Sequence, residues 1–498
     1  MSHGDTSRAV RRLPETGAGI AIVLGVLFAA SAIMEAGKLN SLRSTEVWGH
    51  LRAGAWILEN HGVPRAGLFS QSANQAWRDF SWGFDAVVAG AYKIFGLRAV
   101  PGLAMGFRVS LAVVLFLLAG GRRGNVWGAG LLSVVGLYTL SGIELGSTTA
   151  SVVLFGAELM ILFEWRRSAA RFRPQLILPL LILVWANIDV GVVYGIAVLV
   201  LYVVSLYVQP TAGRPVTGIN TGGLARTALA VLLGCVAVSG MTPYGYTNYP
   251  AFWQVETSAA NGTIPGYPAM GFRQPLDYIV LSLAMSAFLA MGLRRSRDVF
   301  LLTVLSGSTM LAFHSQRESW LVIVSAVAVI GCIMTESAAN EGVKVNRLSW
   351  RRLMAIVGTS ALVTALVFFV SIPRDFKTLM ARVGETLPVK ACDFIRGTGL
   401  AQPLFNAYRW GAFVTWYLPE YPVAIDSRRG LYSEEMESGY FKVMKAEAPY
   451  QSLPLMRDAR TLLLERSSVM AEALKNVKGF QVAYEDDIAT VFSQDAQP

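Results

Sequence analysis

Three cysteines are too few and too scattered to staple this chain. Cys235 and Cys332 sit inside apolar runs, and only Cys392 lies in the polar C-terminal quarter. That excludes a disulfide framework, and no Cys/His spacing fits a zinc site. Charge is scarce too. Asp, Glu, Lys and Arg make up 15% of 498 residues, against about a quarter in soluble domains. Tandem repeats are not apparent, and no inverted repeat or broken helix pair marks a transporter. Apolar residues take up the difference at 53%, in runs of 14 to 20 residues across the first 372 positions. This is the composition of an integral membrane protein.

Eleven runs are candidate spans: 17–34, 100–119, 126–142, 146–163, 175–188, 190–208, 227–241, 276–293, 298–314, 319–335 and 354–372. No A-x-A-like cleavage site follows the first, which reads as a retained helix. The run at 175–188 is short for a core of about 30 Å. Asn187 and Asp189 join it to the next run in a predicted tight hairpin. With the N-terminus inside, the inner connections carry eighteen basic residues, among them Arg122, Arg123, Arg166, Arg167, Arg351 and Arg352. The short outer connections hold Arg273 and Arg317. That asymmetry obeys the positive-inside rule and, with eleven spans, places the C-terminal segment outside.

The segment from Phe80 to Gly96 is apolar but contains Asp85 and Lys93. Counting it as a span would turn every later arginine outward, so it reads as an amphipathic helix at the outer interface. The first outer loop then runs from 35 to 99, a length usually kept for function. The net charge of +10 follows from the arginine bias and anionic lipid, and implies no nucleic acid.

After Ile372–Pro373 the chain turns mixed in polarity. Runs at 421–426, 461–465, 480–485 and 489–493 read as strands, the last two as a hairpin around Asp486–Asp487. Helical patterns fall at 388–396, 410–418, 433–446 and 467–475. The expected organisation is a helical membrane module, 1–372, and a small α/β domain, 373–498, on the outer face.

The first loop concentrates titratable groups. Glu46 and His50 are four apart, so a helix would project both from one face. Such a pair can act as base and orienter, or ligate a cation. Trp48 and Trp56 suit an interface. Arg52, Arg65, Arg78 and Arg108 offer guanidinium forks for a phosphate. The bland alternative is an interfacial helix whose charges meet water and head groups. Glu144 and Asp189 fall at predicted outer helix ends, where they would line a cavity. In the C-terminal segment Asn406, Tyr408 and Trp410 precede Asp426, Arg428 and Arg429. Such a set is a ligand site or, more commonly, a buried ion pair fastening a loop.

The stretches "EVWGHLRAG" (46–54) and "PRAGLFS" (64–70), with Trp77, resemble the first-loop motif of bacterial multispanning proteins in the GT-C glycosyltransferase superfamily. Its pattern is D-x-W-W-H-L-x-x-G, P-R-x-D-x-F-S and a later W. "VWANIDVGVVYG" (184–195) resembles the family's W-x-N-x-H-G junction, and "TPYGY" (242–246) its N-P-Y-G. "HSQRESWL" (314–321) resembles its arginine-led helix start. The segment 404–432 resembles F-N-x-Y-x-W-G-G-Y-L followed by F-I-D-x-R-x-D-L-Y, and 484–492 its closing strand pair. The resemblance spans almost the whole chain.

It implies an enzyme of the bacterial inner membrane that moves a sugar from a polyprenyl-phosphate lipid to an envelope glycan, lipid or protein acceptor. Glu46 matches the loop aspartate that positions or deprotonates the acceptor, with His50 as neighbour or second ligand. Arg52, Arg65, Arg108, Arg317, Asn187 and Asp189 become candidates for binding substrate or its phosphate. Asn406, Trp410, Asp426 and Arg428 would recognise acceptor or form a lid. No metal ligand set is assigned, and a divalent cation stays open as a cofactor. Four positions depart from the pattern: Glu46 for Asp, Gly49 for Trp, Gly67 for Asp and Asp189 for His. Asp79, Glu59 and His61 are possible replacements. The alternative function is a non-catalytic scaffold that binds lipid or an envelope-assembly partner.

Overall fold

The computed structural model describes residues 16–167, 174–208, 221–340 except Thr263 and Pro265, and 348–494 except Arg429. The arginines and lysines at 8–12, 171–173, 214 and 344–347 lie outside the described residues.

Every expected apolar run is a helix. These are α1 (Thr16–Lys38), α4 (Ala99–Leu118), α5 (Val126–Thr139), α6 (Ser147–Arg167), α7 (Pro174–Ala186), α8 (Val192–Val208) and α9 (Thr221–Ser239). After them come α11 (Pro275–Leu293), α12 (Val299–His314), α13 (Ser319–Asn340) and α14 (Trp350–Ser371). By length and composition, six described segments can cross a membrane, one of them running continuously from Trp82 to Leu118; five further apolar helices are shorter. The chain is a multipass membrane protein. Asn125, Asp298 and Ser349 start α5, α12 and α14 by accepting bonds from backbone N–H groups of the first turn. α13 is the buried centre of the bundle: Trp320 through Val329 is almost wholly enclosed. α14 lies at the edge, and Leu362, Leu366 and Val370 on its outer face are exposed, as lipid contact requires.

Between α1 and α4 the loop forms α2 (Val47–Asn60) and α3 (Trp82–Phe95). α3 is amphipathic as expected: Phe84, Asp85, Val88 and Ala89 are buried, whereas Val87, Ile94 and Phe95 are exposed. α2 and α3 approach closely because Gly54 has no side chain. A Cβ there would stand 2.0 Å from the Asp85 carbonyl oxygen. α10 (Asn248–Glu256) fills the connection after α9.

The C-terminal part contains α15 (Phe376–Val383), α16 (Val389–Thr398), α17 (Gly411–Tyr417), α18 (Glu434–Met444), α19 (Pro454–Arg457) and α20 (Val469–Leu474). They surround strands β1 (Leu404–Asn406), β2 (Thr461–Glu465), β3 (Phe480–Glu485) and β4 (Ala489–Gln494). The strand order is β1-β2-β4-β3, parallel only between β1 and β2. Asp486 closes the β3–β4 hairpin by accepting from the Ile488 and Ala489 N–H groups, both at 2.8 Å.

Residues 421–426 are not the expected strand; they make a single bridge, Val423 to Ser70. Pro422 brings no N–H to a ladder, and the Asn406 side chain takes over the pairing. It accepts from Ala424 N at 2.8 Å and donates to Ile425 O at 2.8 Å. The strand beside β2 is instead Leu404–Asn406, too short to show a pattern. One hydrophobic cluster runs from Leu42, Trp48 and Phe84 in the loop region to Phe413, Val423 and Val491. The first loop and the C-terminal part therefore share a core.

Candidate active site

Glu46 stands just before α2, and His50 is one turn along it. The loop before α6 is pinned against this start. Glu144 accepts bonds from Thr45 N at 2.7 Å and Ser44 Oγ at 2.8 Å. The pinning brings Gly146 over the pair. A Cβ on Gly146 would stand 2.9 Å from Glu46 Oε2 and 3.4 Å from His50 Nε2. The carboxylate and the imidazole thus converge on one point that only a glycine leaves open. Buried Trp48, on the opposite side of α2, donates to Ser44 O at 2.8 Å and packs on Phe413 and Trp416.

His50 is oriented from behind. Its Nδ1 lies 2.6 Å from Asp85 Oδ1 on α3. A carboxylate there places the ring proton on Nδ1 and leaves the Nε2 lone pair facing Glu46. Behind Asp85 is buried Asp79, which accepts from Ser81 N and Oγ at 3.1 and 2.9 Å. Burial, then the neighbouring Asp85 charge, push the Asp79 carboxyl well above the usual carboxylate range. Tyr244, from the TPYGY segment, donates to Pro64 O at 2.7 Å and accepts from Asp79 N at 3.2 Å. It ties the two halves of the loop together.

Burial raises the Glu46 carboxyl above its ordinary range; the Arg317 guanidinium opposes that shift most strongly, and Glu144 adds to it. Burial lowers His50 and outweighs the pull of Glu46, Asp79 and Asp189 in the other direction. Glu46 and Arg317 nevertheless both keep exposed surface. Arg317 is held by Tyr267, whose hydroxyl accepts from its guanidinium, and by its own N–H to Gly266 O at 2.8 Å.

Buried Asp189 accepts from Ser147 Oγ at 2.7 Å, Ser151 Oγ at 2.5 Å and Gly191 N at 3.0 Å. It fixes the α7–α8 turn to α6. Asn187 is a strut, donating to Leu183 O and Met241 O and accepting from Trp82 Nε1.

The other arginines do not reach this point. Arg52 stacks on Phe69 at 4.4 Å, and Arg65 is exposed on the loop. Arg108 sits 3.6 Å from buried Glu35. It lines a neighbouring cavity of about 310 Å³, with Arg43, Asn40, Met34 and Leu137, that borders the site at Ser44 and Glu144. Glu59 and His61 are exposed at the far end of α2 and replace nothing.

The C-terminal residues fasten the loop. Arg428 Nε bonds both Asp426 oxygens at 3.0 and 2.9 Å, its guanidinium donates to Leu68 O, and it lies 5.2 Å over Trp77. Asn406 holds 424–425, and Trp410 is buried in the shared core. Two departures from the family pattern follow from the same packing. A Cβ on Gly49 would stand 3.3 Å from Ala412 of α17, and one on Gly67 would meet Leu431 and Ser72 at 2.5 Å.

No protein-family model and no curated protein matches the sequence. Solved structures do match. The oligosaccharyltransferase AglB from Archaeoglobus fulgidus, solved with an inhibitory peptide and a dolichol-phosphate, aligns over 89% of this chain and 69% of its own. The TM-score is 0.56 at 9% identity. A second Archaeoglobus fulgidus oligosaccharyltransferase structure, tethered to an acceptor peptide, aligns over 95% and 74%, with a TM-score of 0.56 at 10% identity. The chain shares the fold of these two oligosaccharyltransferase structures. ArnT from Cupriavidus metallidurans bound to undecaprenyl phosphate aligns over 96% and 98%, at 15% identity and a TM-score of 0.48.

Among the described residues no three His, Cys, Asp or Glu side chains are grouped to hold a metal. Glu46 and His50 would supply two donors, but Asp189 is already committed to two serines and a backbone N–H. Sequence reasoning missed Asp85, Gly146 and Tyr244 as parts of the site. An acid inside an otherwise apolar amphipathic helix was the available signal for Asp85.

Proposed function

We propose that this protein transfers a sugar from a polyprenyl-phosphate-linked donor to an envelope acceptor at the outer face of a bacterial inner membrane. The N-terminus would then be cytoplasmic and the α/β domain external, as the arginine asymmetry requires. The convergence of Glu46 Oε2 and His50 Nε2 on Gly146, beside Arg317, carries this reading. The GT-C-like fold supports it, since AglB was solved with a dolichol-phosphate.

Glu46 is the base. It takes the proton of the acceptor hydroxyl as that oxygen bonds to the anomeric carbon. The bond from this carbon to the phosphate oxygen breaks, and polyprenyl phosphate leaves with the electron pair. His50, oriented by Asp85, accepts through Nε2 from a second hydroxyl of the acceptor. Arg317 offsets the developing phosphate charge, and the neighbouring cavity offers Met34, Phe107, Leu111 and Leu137 as an apolar wall for a prenyl chain.

The test uses membranes, a panel of polyprenyl-phosphate sugars and envelope acceptors. Glu46→Gln keeps size and removes the base, so transfer should fall about 10²–10⁴-fold. Unchanged transfer in that variant would reject the site. Tight donor binding without transfer by any acceptor would favour the scaffold reading, which the distance of Arg52, Arg65 and Arg108 from Glu46 keeps in play.

A further inference from the structure

A second cavity, of about 210 Å³, lies at the opposite end of α4 from the candidate active site. Its rim carries Arg122, Arg123 and Arg167, and Glu164 is the single acid among its lining residues. Its wall is apolar, with Leu117, Met160 and Phe163, and Trp350 of α14 closes one side. We propose that this cavity binds the headgroup of an anionic phospholipid.

Three features argue for that occupant. The first is charge. Arg123 forms its ion pair with Glu164, its closer guanidinium–oxygen contact being supplemented by one at 2.6 Å. Three arginines against one glutamate give the lining groups a formal charge of +2. Arg167 is exposed, and its recorded contact is with the weak acceptor Cys332 Sγ at 3.3 Å. The second is form. Arg122 stacks on Trp350 at 4.1 Å and donates to Leu348 O at 3.1 Å, which fixes a guanidinium at the mouth. A phosphodiester at this mouth would meet the exposed Arg167 guanidinium, while acyl chains continue along Leu117 and Met160. The third is depth. Trp350 and Trp127 are both partly exposed at this end of the bundle, and indoles mark the interface level of a bilayer. A soluble phosphate would gain nothing from the apolar wall. A zwitterionic lipid would bring a choline or ethanolamine cation against the arginines. Basic pockets between spanning helices on the arginine-rich side suit anionic headgroups.

The test is native mass spectrometry of the full chain in neutral detergent, titrated with phosphatidylglycerol, phosphatidylcholine or inorganic phosphate. Phosphatidylglycerol should be retained, phosphatidylcholine should not, and inorganic phosphate should not displace the bound lipid. Arg167→Gln should weaken retention about fivefold, as expected for one surface cation near anionic lipid, and Arg167→Lys should restore it. Glu164→Gln should tighten retention, an effect that misfolding cannot mimic. Equal retention of phosphatidylcholine, indifference to Arg167→Gln, weaker binding in Glu164→Gln, or displacement by inorganic phosphate would each overturn the proposal.

Discussion

Adding one methyl group at Gly146 tests the site more sharply than deleting a functional group. The new Cβ would stand 2.9 Å from Glu46 Oε2, whereas carbon–oxygen contacts relax at about 3.3–3.6 Å. The carboxylate must retreat by roughly half an ångström. His50 Nε2, at 3.4 Å, stays where it is. A misplacement of about 1 Å can cost 10²-fold in rate, so Gly146→Ala should slow transfer roughly tenfold. Stability should change by no more than about 0.5 kcal/mol, because the displaced atom is the tip of a flexible, exposed side chain. Gly90→Ala, where a Cβ meets nothing within 4 Å, is the matched control. The assay is kcat for sugar transfer beside the thermal unfolding midpoint. Wild-type turnover in Gly146→Ala, with Glu46→Gln inactive, would show that the reacting oxygen does not sit between these groups.

Burial raises Glu46, so the acid limb of the kcat/KM profile should lie above the ordinary glutamate value of about 4.3. Arg317→Gln removes the main opposing charge and should move that limb to higher pH. His50 is lowered in the folded chain, so the unfolded chain binds the proton first. Stability contributed by neutral His50 should therefore be lost as pH falls below about 6.5, read from thermal unfolding across pH. Asp85→Asn removes the carboxylate that orients His50 and should lower kcat by about 10²-fold while KM holds; a change in KM alone would contradict its positioning role. Gly54→Ala would drive a methyl into the Asp85 carbonyl and should cost about 1–3 kcal/mol or more of stability, measured by thermal unfolding.

The helices were legible because a membrane helix needs a long apolar run, and each run declares itself locally. Three of the four strands were legible for the same local reason. The segment 421–426 was misread because strand-like composition cannot reveal that Asn406 will take its hydrogen bonds. The four-residue spacing of Glu46 and His50 implied a shared helix turn, and α2 starts between them. Their partners Asp85, Gly146 and Asp189 were not legible as a set, because they come from separate helix ends and meet only in three dimensions. The arginines show the limit most clearly. A guanidinium looks alike in sequence whether it faces a substrate, as proposed for Arg317, or answers a buried acid, as Arg108 does with Glu35.

The Arg428–Leu68 contact spans 360 positions of chain, and the Ser70–Val423 bridge nearly as many. Loop-closure entropy makes such pairings late events in folding. During synthesis the first loop emerges hundreds of residues before the segment that clasps it. Glu46 and His50 are thus made early but braced last. A chain ending before Gly411 would leave the first loop without α17, whose Phe413 and Trp416 pack on Trp48.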